Sequence, residues 1–264
     1  MHYEEWGNGE RTVVLLHGWS GDHRTAAPLL PLLPEGTRLI AFDLPGVGRS
    51  PAPAAWSAAA IGERLLEALR AVGDPELTVV GNCSGANLLL PVIDRLHEVA
   101  GRLVMIDPYA WMPWYFRLLV TGWLGRFFYA TAFENPVGRW LTNLSLARRR
   151  TGETDLTASF AQRDHGTTYR YLQVLGELGH ASRYPGNRVP TVILHGERTF
   201  GAIRRGVQAY AEVWPGTPVI ELRGAAHLPI QEATAAVAGV VFGSTPGLAP
   251  ATPSPERAGV PTAP

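Results

Sequence analysis

The stretch VVGNCSGANLLL, residues 79–90, holds the one cysteine of the chain, Cys83, in a group of small residues between two apolar runs. An apolar run that ends in small residues and resumes as a helical pattern predicts a sharp turn from a strand into a helix. Cysteine and serine both attack carbonyl carbons when a base takes their proton, and Ser84 adjoins Cys83. The other interpretation is structural, because a lone cysteine commonly serves as a small buried hydrophobe.

The small residues around the turn favour the cysteine as the nucleophile. A nucleophile on such a turn needs very small residues two positions before it and two positions after it, because the backbone crowds both places. Gly81 and Gly85 flank Cys83 in this way, whereas Asn82 and Ala86 would flank the neighbouring serine. A helix that starts at this turn would also favour the thiolate near neutral pH.

An oxyanion formed by such an attack needs backbone donors, and two are in place. The N–H of Ser84 follows the nucleophile directly. LLHGW, residues 15–19, follows an apolar run, and the glycine after His17 permits close approach of the backbone. We expect the N–H of Trp19 to be the second donor.

The base is expected to be a histidine on a loop near the turn. His227, in RGAAHLPIQE, follows the last apolar run and precedes a helical pattern, so it is the best placed; the alternative is an exposed loop histidine. His17 and His195 also end apolar runs, but both precede glycine and are expected to shape loops. The other histidines lie in helical or cap-like contexts: His2, His23, His97, His165 and His180.

Strands and helices that alternate along the chain must position these residues. Six short apolar runs, rich in Val, Ile and Leu, are typical of strands covered on both faces: residues 12–18, 38–46, 77–81, 102–107, 191–196 and 218–222. In residues 59–73, Ile61, Leu65, Leu69 and Val72 recur on one helical face. The alternation predicts a parallel sheet with helices on both faces and a ligand crevice at the carboxyl ends of the strands.

Residues 109–188 interrupt this alternation, with no strand signal and many aromatic residues. We predict a helical insertion that covers the crevice. Five of its aromatic residues are the predicted wall of a hydrophobic substrate pocket: Trp111, Trp114, Tyr115, Trp123 and Phe127. The alternative is that these side chains form the core of the insertion itself.

Composition excludes several classes of protein. The formal net charge is zero, which gives no electrostatic reason to expect nucleic acid as a partner, and one cysteine cannot form an internal disulfide. The N-terminal MHYEEWGNGE lacks the apolar core of a signal peptide, and residues 103–125 contain Asp107 and Arg117, which disfavours a membrane span. We therefore expect a cytoplasmic protein. We also expect neither cofactor nor metal, because neither a dinucleotide fingerprint nor a metal-ligand pattern occurs. Residues 243–264, rich in Pro, Ala, Thr and Ser, predict a disordered tail.

The motifs HGW, DLPGVGRS, GNCSG and AAHLPIQE, in this order, resemble those of the α/β-hydrolase fold family. The resemblance covers residues 3–108 and 189–242 and places 109–188 where the family has its cap. It implies a mostly parallel sheet with helices on both faces, and catalytic residues in the order nucleophile, acid, histidine. Cys83 and His227 take the first and last of these places.

The acid is where the sequence departs from the family pattern. Many members have Asp in a Gly-x-x-Asp motif, but residues 196–199 read Gly-Glu-Arg-Thr, with Thr199 at the acid position. A subset of the family places the acid one strand earlier, which implies Asp107. Glu197 and a Cys–His dyad without an acid are the alternatives.

The resemblance implies an acyl-transfer enzyme, most simply a hydrolase of a hydrophobic ester, lactone or thioester. The resemblance suggests three precedents in this fold for a cysteine as nucleophile: dienelactone hydrolases, polyhydroxyalkanoate synthases and some cyclising thioesterase domains. An acyltransferase or cyclase of a biosynthetic pathway, working through a Cys83 thioester, is therefore an alternative. A non-catalytic ligand-binding homologue is a further alternative, because the acid of the usual Gly-x-x-Asp motif is missing. The oligomeric state stays open.

Overall fold

A computed structural model describes residues 1–74, 76–149, 151 and 154–243. Seven strands form one sheet in the order β1-β3-β2-β4-β5-β6-β7. They are β1 Tyr3–Trp6, β2 Arg11–Leu16, β3 Thr37–Phe42, β4 Thr78–Asn82, β5 Arg102–Ile106, β6 Thr191–Gly196 and β7 Val219–Leu222. Every neighbouring pair is parallel except β1 with β3. The predicted α/β class with a mostly parallel sheet is confirmed.

The edge strand β1 is not among the six strands predicted from the sequence. Its residues alternate between exposed and half-buried and include Glu4 and Glu5, so no apolar run marks it. It pairs antiparallel with β3, with Tyr3 opposite Phe42. A short strand with one solvated face therefore escapes a search for buried strands.

Helices lie in both layers beside the sheet. Within the described residues the α-helices are α1 Ala58–Val72, α2 Ser84–Asn87, α3 Trp114–Leu119, α4 Gly122–Tyr129, α5 Pro136–Ser145, α6 His165–Glu177, α7 Gly201–Val213, α8 Pro229–Glu232 and α9 Thr234–Phe242. The 3₁₀ segments are His23–Leu32, Leu90–Val92, Leu96–Glu98, Ala147–Arg149, Ala158–Gln162 and Ala181–Arg183, and Ala130–Glu134 is a π-helical turn.

The side chains of the central strands alternate between two hydrophobic cores. Val14 and Leu16 of β2 face the core that includes residues of α1 and α7. Val13 and Leu15 face the opposite core, which includes residues of α9 and of the 3₁₀ segment after β2. Both faces are thus covered, which is why the central strands have continuous apolar sequences.

The helix that follows β4 is shorter than its apolar pattern suggests. After the single turn of α2, the chain continues as two 3₁₀ segments, and Pro91 lies inside the first of them. Proline has no N–H for the bond to the fourth residue before it and its ring crowds that residue, so the α-helix cannot continue. The dipole of α2 is correspondingly small.

The segment between β5 and β6 forms a helical cap, as predicted. Its interior contains Met112, Tyr129, Phe133, Phe160 and Leu172, which form a separate hydrophobic cluster. Helix α6 also packs on the main core, since its residues Tyr171 and Val174 belong to that core. The cap is therefore attached to the sheet domain by buried contacts.

Among the described residues, no helix is both long enough and apolar enough to cross a lipid bilayer. The predicted tail, residues 243–264, lies outside the described residues apart from Gly243.

Candidate active site

Cys83 occupies a strained turn between β4 and α2. Its φ is 51°, a conformation that costs about 1–3 kcal/mol for a residue other than glycine. A Cβ on Gly85 would lie 2.5 Å from the carbonyl oxygens of Leu16 and His17, and a Cβ on Gly81 would lie 2.6 Å from the N of Ala86. The two glycines are thus required by backbone contact on either side of the cysteine.

Ser84 differs sharply from Cys83 in its surroundings. Its side chain is buried, and its Oγ has no hydrogen-bond partner among the described residues. The Sγ of Cys83, in contrast, lies 3.9 Å from the Nε2 of His227. The turn therefore brings the cysteine, and not the serine, to the imidazole of His227.

His227 lies on the loop between β7 and α8, and this loop is held from both sides. The backbone N–H of His227 donates to the carbonyl oxygen of Arg149 in the cap, at 3.2 Å. One carboxylate oxygen of Glu232 accepts the N–H groups of Ala226 and Leu228, the two residues adjacent to the histidine, at 2.7 and 3.1 Å. These contacts fix the direction in which the imidazole points.

Asp107 follows β5 and is fully buried, with a φ of 49°. Its Oδ2 lies 2.9 Å from the Nδ1 of His227 and accepts the hydroxyl of Thr199 at 2.6 Å, while its Oδ1 accepts the N–H of Gly196 at 3.0 Å. The two donors satisfy a buried carboxylate and hold it against the imidazole.

Of the acids that the sequence left open, the structure brings Asp107 to the imidazole of His227. Glu197 is exposed, and its Oε2 accepts the N–H of Gly224 at 2.8 Å instead of facing the imidazole. Thr199, which occupies the usual acid position, donates its hydroxyl to Asp107. The threonine thus takes part in the site as a support for the relocated carboxylate, a role the sequence did not reveal.

The charge of His227 follows from these neighbours. Burial by itself lowers the pKa of His227, but its hydrogen bonds to Asp107 and Cys83 and the attraction of both charges together raise it more, to about 10. At neutral pH the imidazole is therefore protonated on both nitrogens, with Nδ1 facing the carboxylate of Asp107 and Nε2 facing the sulfur of Cys83.

The two residues predicted to supply the backbone donors belong to the same cavity as the cysteine. Trp19 and Ser84 both line the cavity that contains Cys83. A Cβ built on Gly18 would lie 3.4 Å from the Cβ of Cys83, so the HGW loop packs directly against Cys83. Trp19 also anchors the cap, because its indole N–H donates to the carbonyl oxygen of Thr168 at 2.7 Å.

A cavity of about 710 Å³ separates the sheet from the cap and contains Cys83 and His227. Of the five aromatic residues predicted for its wall, Trp111 and Tyr115 line it. The prediction is wrong for Trp114, Trp123 and Phe127, which are solvent-exposed and absent from its described lining. Helical spacing shows that a helix has an apolar face but not which way the face points.

Other residues supply the wall that those three do not. The described lining includes apolar side chains that the sequence analysis did not single out: Tyr109, Met112, Phe116, Leu119, Phe133, Phe160 and Phe200. Polar groups are also present in the cap part of the wall, among them Thr142, Ser145, Asp155 and Ser159. The cavity therefore offers an apolar interior with a few polar contacts, which is the character of a small-molecule site.

Glu232, the last residue of the AAHLPIQE motif, connects the histidine loop with the cap. Its second oxygen accepts the N–H of Thr151 at 2.7 Å and the hydroxyl of Thr154 at 2.8 Å. Burial raises the pKa of Glu232, but the hydrogen bonds donated to its carboxylate outweigh this and hold the pKa below its usual value.

One group of side chains among the described residues could hold a metal ion, and it lies away from the cavity lining. His2, His23 and Asp43 each offer one ligand atom within 4.8 Å of the others. The Oδ1 of Asp43 already accepts both the backbone N–H and the ring nitrogen of His23 at 2.9 Å. These bonds connect the start of the 3₁₀ segment His23–Leu32 with the DLPGVGRS loop.

The chain belongs to the alpha/beta hydrolase family, whose model matches residues 13–240. It is 29% identical over 203 residues, 70% of its own length, to a pimeloyl-[acyl-carrier protein] methyl ester esterase of Aromatoleum aromaticum, of which it covers 78%. It is 31% identical over 115 residues, 40% of its length, to a 2-hydroxy-6-oxononadienedioate/2-hydroxy-6-oxononatrienedioate hydrolase 1 of Dechloromonas aromatica. It spans only 39% of that relative and 34% of a serine hydrolase-like protein of Danio rerio.

Solved structures share the fold at low sequence identity. An enol-lactonase from Burkholderia xenovorans LB400 superimposes with a TM-score of 0.71 at 17% identity, over 91% of this chain and 94% of that one. A thermophilic esterase from Thermogutta terrifontis gives a TM-score of 0.72 at 19% identity, over 91% of each chain.

Proposed function

We propose that this chain hydrolyses esters, lactones or thioesters that carry a hydrophobic acyl part, with Cys83 as nucleophile, His227 as base and Asp107 as the acid that orients the histidine. The observation that carries the proposal is the series Cys83–His227–Asp107, with contacts of 3.9 and 2.9 Å, whose first two members line a largely apolar cavity. A cavity with an aligned nucleophile and base is the arrangement that acyl transfer requires.

The first half of the reaction forms a thioester. The Cys83 thiolate attacks the carbonyl carbon, and the carbonyl π electrons move to oxygen, where the N–H groups of Trp19 and Ser84 donate to the oxyanion. When the tetrahedral intermediate collapses, the bond to the leaving group breaks. The Nε2–H of His227 gives its proton to the departing oxygen or sulfur, and the Asp107 carboxylate keeps the imidazole oriented.

The second half releases the acid. The now neutral Nε2 of His227 takes a proton from water, the resulting hydroxide attacks the thioester carbon, and the same N–H groups stabilise the second oxyanion. The carbon–sulfur bond breaks, the carboxylic acid leaves, and the thiolate–imidazolium pair is restored.

The wall of the cavity supports a hydrophobic acyl group. Phe116, Leu119, Phe133 and Phe160 line it from the cap side, and Phe200 lines it near the histidine. The relatives are consistent with this class of reaction, since one is a methyl ester esterase and a structural neighbour is an enol-lactonase. Pockets of about 300–1,000 Å³ bury most of the surface of a small-molecule ligand.

The test is a series of p-nitrophenyl esters of increasing chain length, followed by intact mass spectrometry. We expect release of p-nitrophenol, with kcat/KM rising from acetate toward medium chains, and an acyl adduct that peptide mapping assigns to Cys83. Cys83→Ala is expected to abolish both signals.

Ser84→Ala is the matched control. Its hydroxyl is buried without a partner among the described residues, so its removal is expected to leave activity and folding intact. Loss of activity in Ser84→Ala with full activity in Cys83→Ala would reject Cys83 as the nucleophile. A folded wild type that neither cleaves any ester nor forms an adduct would instead support a non-catalytic binding protein.

A further inference from the structure

The outside of the cap is unusually apolar. Of the fourteen exposed large hydrophobic side chains among the described residues, eleven belong to α3, α4 and α5. Trp114 is 71% exposed, Trp123 77% and Trp140 63%. We call the exposed apolar side chains of α3, α4 and α5 the outer face of the cap. Exposed apolar patches of this kind mark interaction surfaces on soluble proteins.

Helix α5 shows that this exposure follows a pattern. Val137, Trp140, Leu141 and Leu144 recur at the spacing of a single helical face, and each is more than half exposed. The helix has no buried residue at all. An amphipathic helix usually turns its apolar face toward a core, but α5 turns this face toward solvent.

Helices α3 and α4 repeat the pattern. In α4 the exposed residues Trp123, Leu124, Phe127 and Phe128 lie one turn apart, and α3 has no buried residue. Helix α3 packs on α4, and the π-helical turn after α4 packs on α5. The three helices therefore form one layer with its apolar side chains outward.

We infer that the outer face of the cap binds the surface of an anionic lipid bilayer. Residues 113–149 contain five arginines and one glutamate, although the whole chain has a net charge of zero. The glutamate, Glu134, is paired with Arg126 at 2.6 Å, so it does not offset the other arginines. Amphipathic helices with Trp, Phe and Leu on one face and arginine nearby lie in the interfacial layer of anionic membranes.

The same charges argue against a second copy of the chain as the occupant. A two-fold dimer through the outer face would bring the arginine-rich segment of one copy against that of the other, and like charges repel. An anionic bilayer instead attracts them. Arg117 and Arg148 are exposed and available for this contact.

The surface adjoins the cavity through α3. Tyr115, Phe116 and Leu119 of this helix line the cavity, while Trp114 and Leu118 of the same helix are exposed. Docking would place the cavity wall next to the apolar layer of the bilayer. Binding itself needs no catalytic step, so Cys83→Ala is expected to bind vesicles as the wild type does.

The test is co-sedimentation of the full chain with vesicles of phosphatidylcholine, with and without phosphatidylglycerol. We expect binding that increases with phosphatidylglycerol and decreases with salt. Trp123→Ser with Phe127→Ser is expected to weaken partitioning by about tenfold or more. Arg117→Glu with Arg148→Glu is expected to weaken binding to the anionic vesicles by about tenfold.

Matched controls carry the same chemical changes elsewhere. Tyr3→Ser with Leu32→Ser removes exposed apolar groups outside the cap, and Arg49→Glu with Arg223→Glu reverses two exposed charges outside it. Both are expected to bind like the wild type. The inference is overturned if the wild type does not bind anionic vesicles, or if either cap variant binds as well as its control. A wild-type dimer in light scattering that Trp123→Ser with Phe127→Ser dissociates, without vesicle binding, would identify a second copy as the occupant.

Discussion

Replacement of Asp107 by Asn changes one atom of the site and is expected to reverse the proton arrangement of His227. The Gly196 N–H donates to Oδ1 of Asp107, so the amide oxygen of the variant stays there and its NH₂ takes the place of Oδ2. That NH₂ would donate to Nδ1 of the histidine, which then carries its proton on Nε2. Nε2 faces the sulfur of Cys83 and could no longer accept a proton from it.

The size of the effect follows from the charge of the histidine. The difference between the ordinary pKa of 6.5 and a pKa of about 10 corresponds to at most about 5 kcal/mol of preference for the protonated form. Without the carboxylate, burial remains and lowers the pKa of His227 below that of the wild type. We expect kcat/KM to fall by about 10²- to 10⁴-fold, in the range known for loss of the carboxylate in a triad.

The assay is the pH profile of kcat/KM with a p-nitrophenyl ester, together with urea unfolding. In the wild type the imidazolium persists until the pH rises through about 10, so the alkaline limb lies there. The stabilising charge interaction is fully present below pH 6.5 and is lost as the pH rises through about 10. In the Asn variant both changes are expected at lower pH.

Glu197→Gln is the matched control, since it makes the same carboxylate-to-amide change at an exposed residue that does not contact His227. We expect its kcat/KM to stay within about twofold of the wild type. Retention of wild-type kcat/KM in Asp107→Asn, or an equal loss in Glu197→Gln, would refute the assignment of the acid.

Three further predictions concern the groups around the triad. Thr199→Val removes the hydroxyl that donates to Asp107 and is expected to lower kcat/KM about tenfold in the ester assay, whereas Thr199→Ser retains it. Glu232→Gln turns an NH₂ toward backbone donors, so the free energy of unfolding in urea is expected to fall by about 3 kcal/mol. Gly85→Ala would press a methyl group against two carbonyl oxygens. It is expected to lower the free energy of unfolding by about 3 kcal/mol or more, which thermal melting would record as a lower melting temperature.

Each of these has an internal comparison. Wild-type kcat/KM in Thr199→Val would show that the hydroxyl does not position Asp107. Because the pKa of Glu232 is lowered, its contribution to stability is present above its usual pKa and is lost as the pH falls through the lowered one. If Glu232→Gln had the same free energy of unfolding as the wild type at both low and neutral pH, the Glu232 carboxylate would not stabilise the protein in this way. Gly239→Ala, where a Cβ meets nothing, is expected to stabilise α9 by up to about 1 kcal/mol; an equal effect at Gly85 would contradict the crowding.

The strands of the core could be predicted from the sequence because both faces of the sheet are covered. Continuous apolar runs then mark each parallel strand, and the six predicted runs all form strands. Edge strand β1 could not be found in this way, because one side of it is solvated and it contains Glu4 and Glu5. Pro91 is the residue that indicates the early end of α2, but the apolar pattern taken alone predicts a longer helix.

The sequence by itself showed the two glycines that frame Cys83, and Gly81 is crowded locally by the backbone of Ala86, whereas Gly85 is crowded by the end of β2. It also indicated the loop of His227, since that loop directly follows a strand. Only the tertiary structure decided which carboxylate meets the histidine, because Asp107 and His227 are 120 residues apart. The pairing of β5 with β6 brings Thr199 to the same carboxylate. The tertiary structure alone decided the direction of the cap helices, because their spacing defines an apolar face and only packing determines whether that face meets the cavity or the solvent.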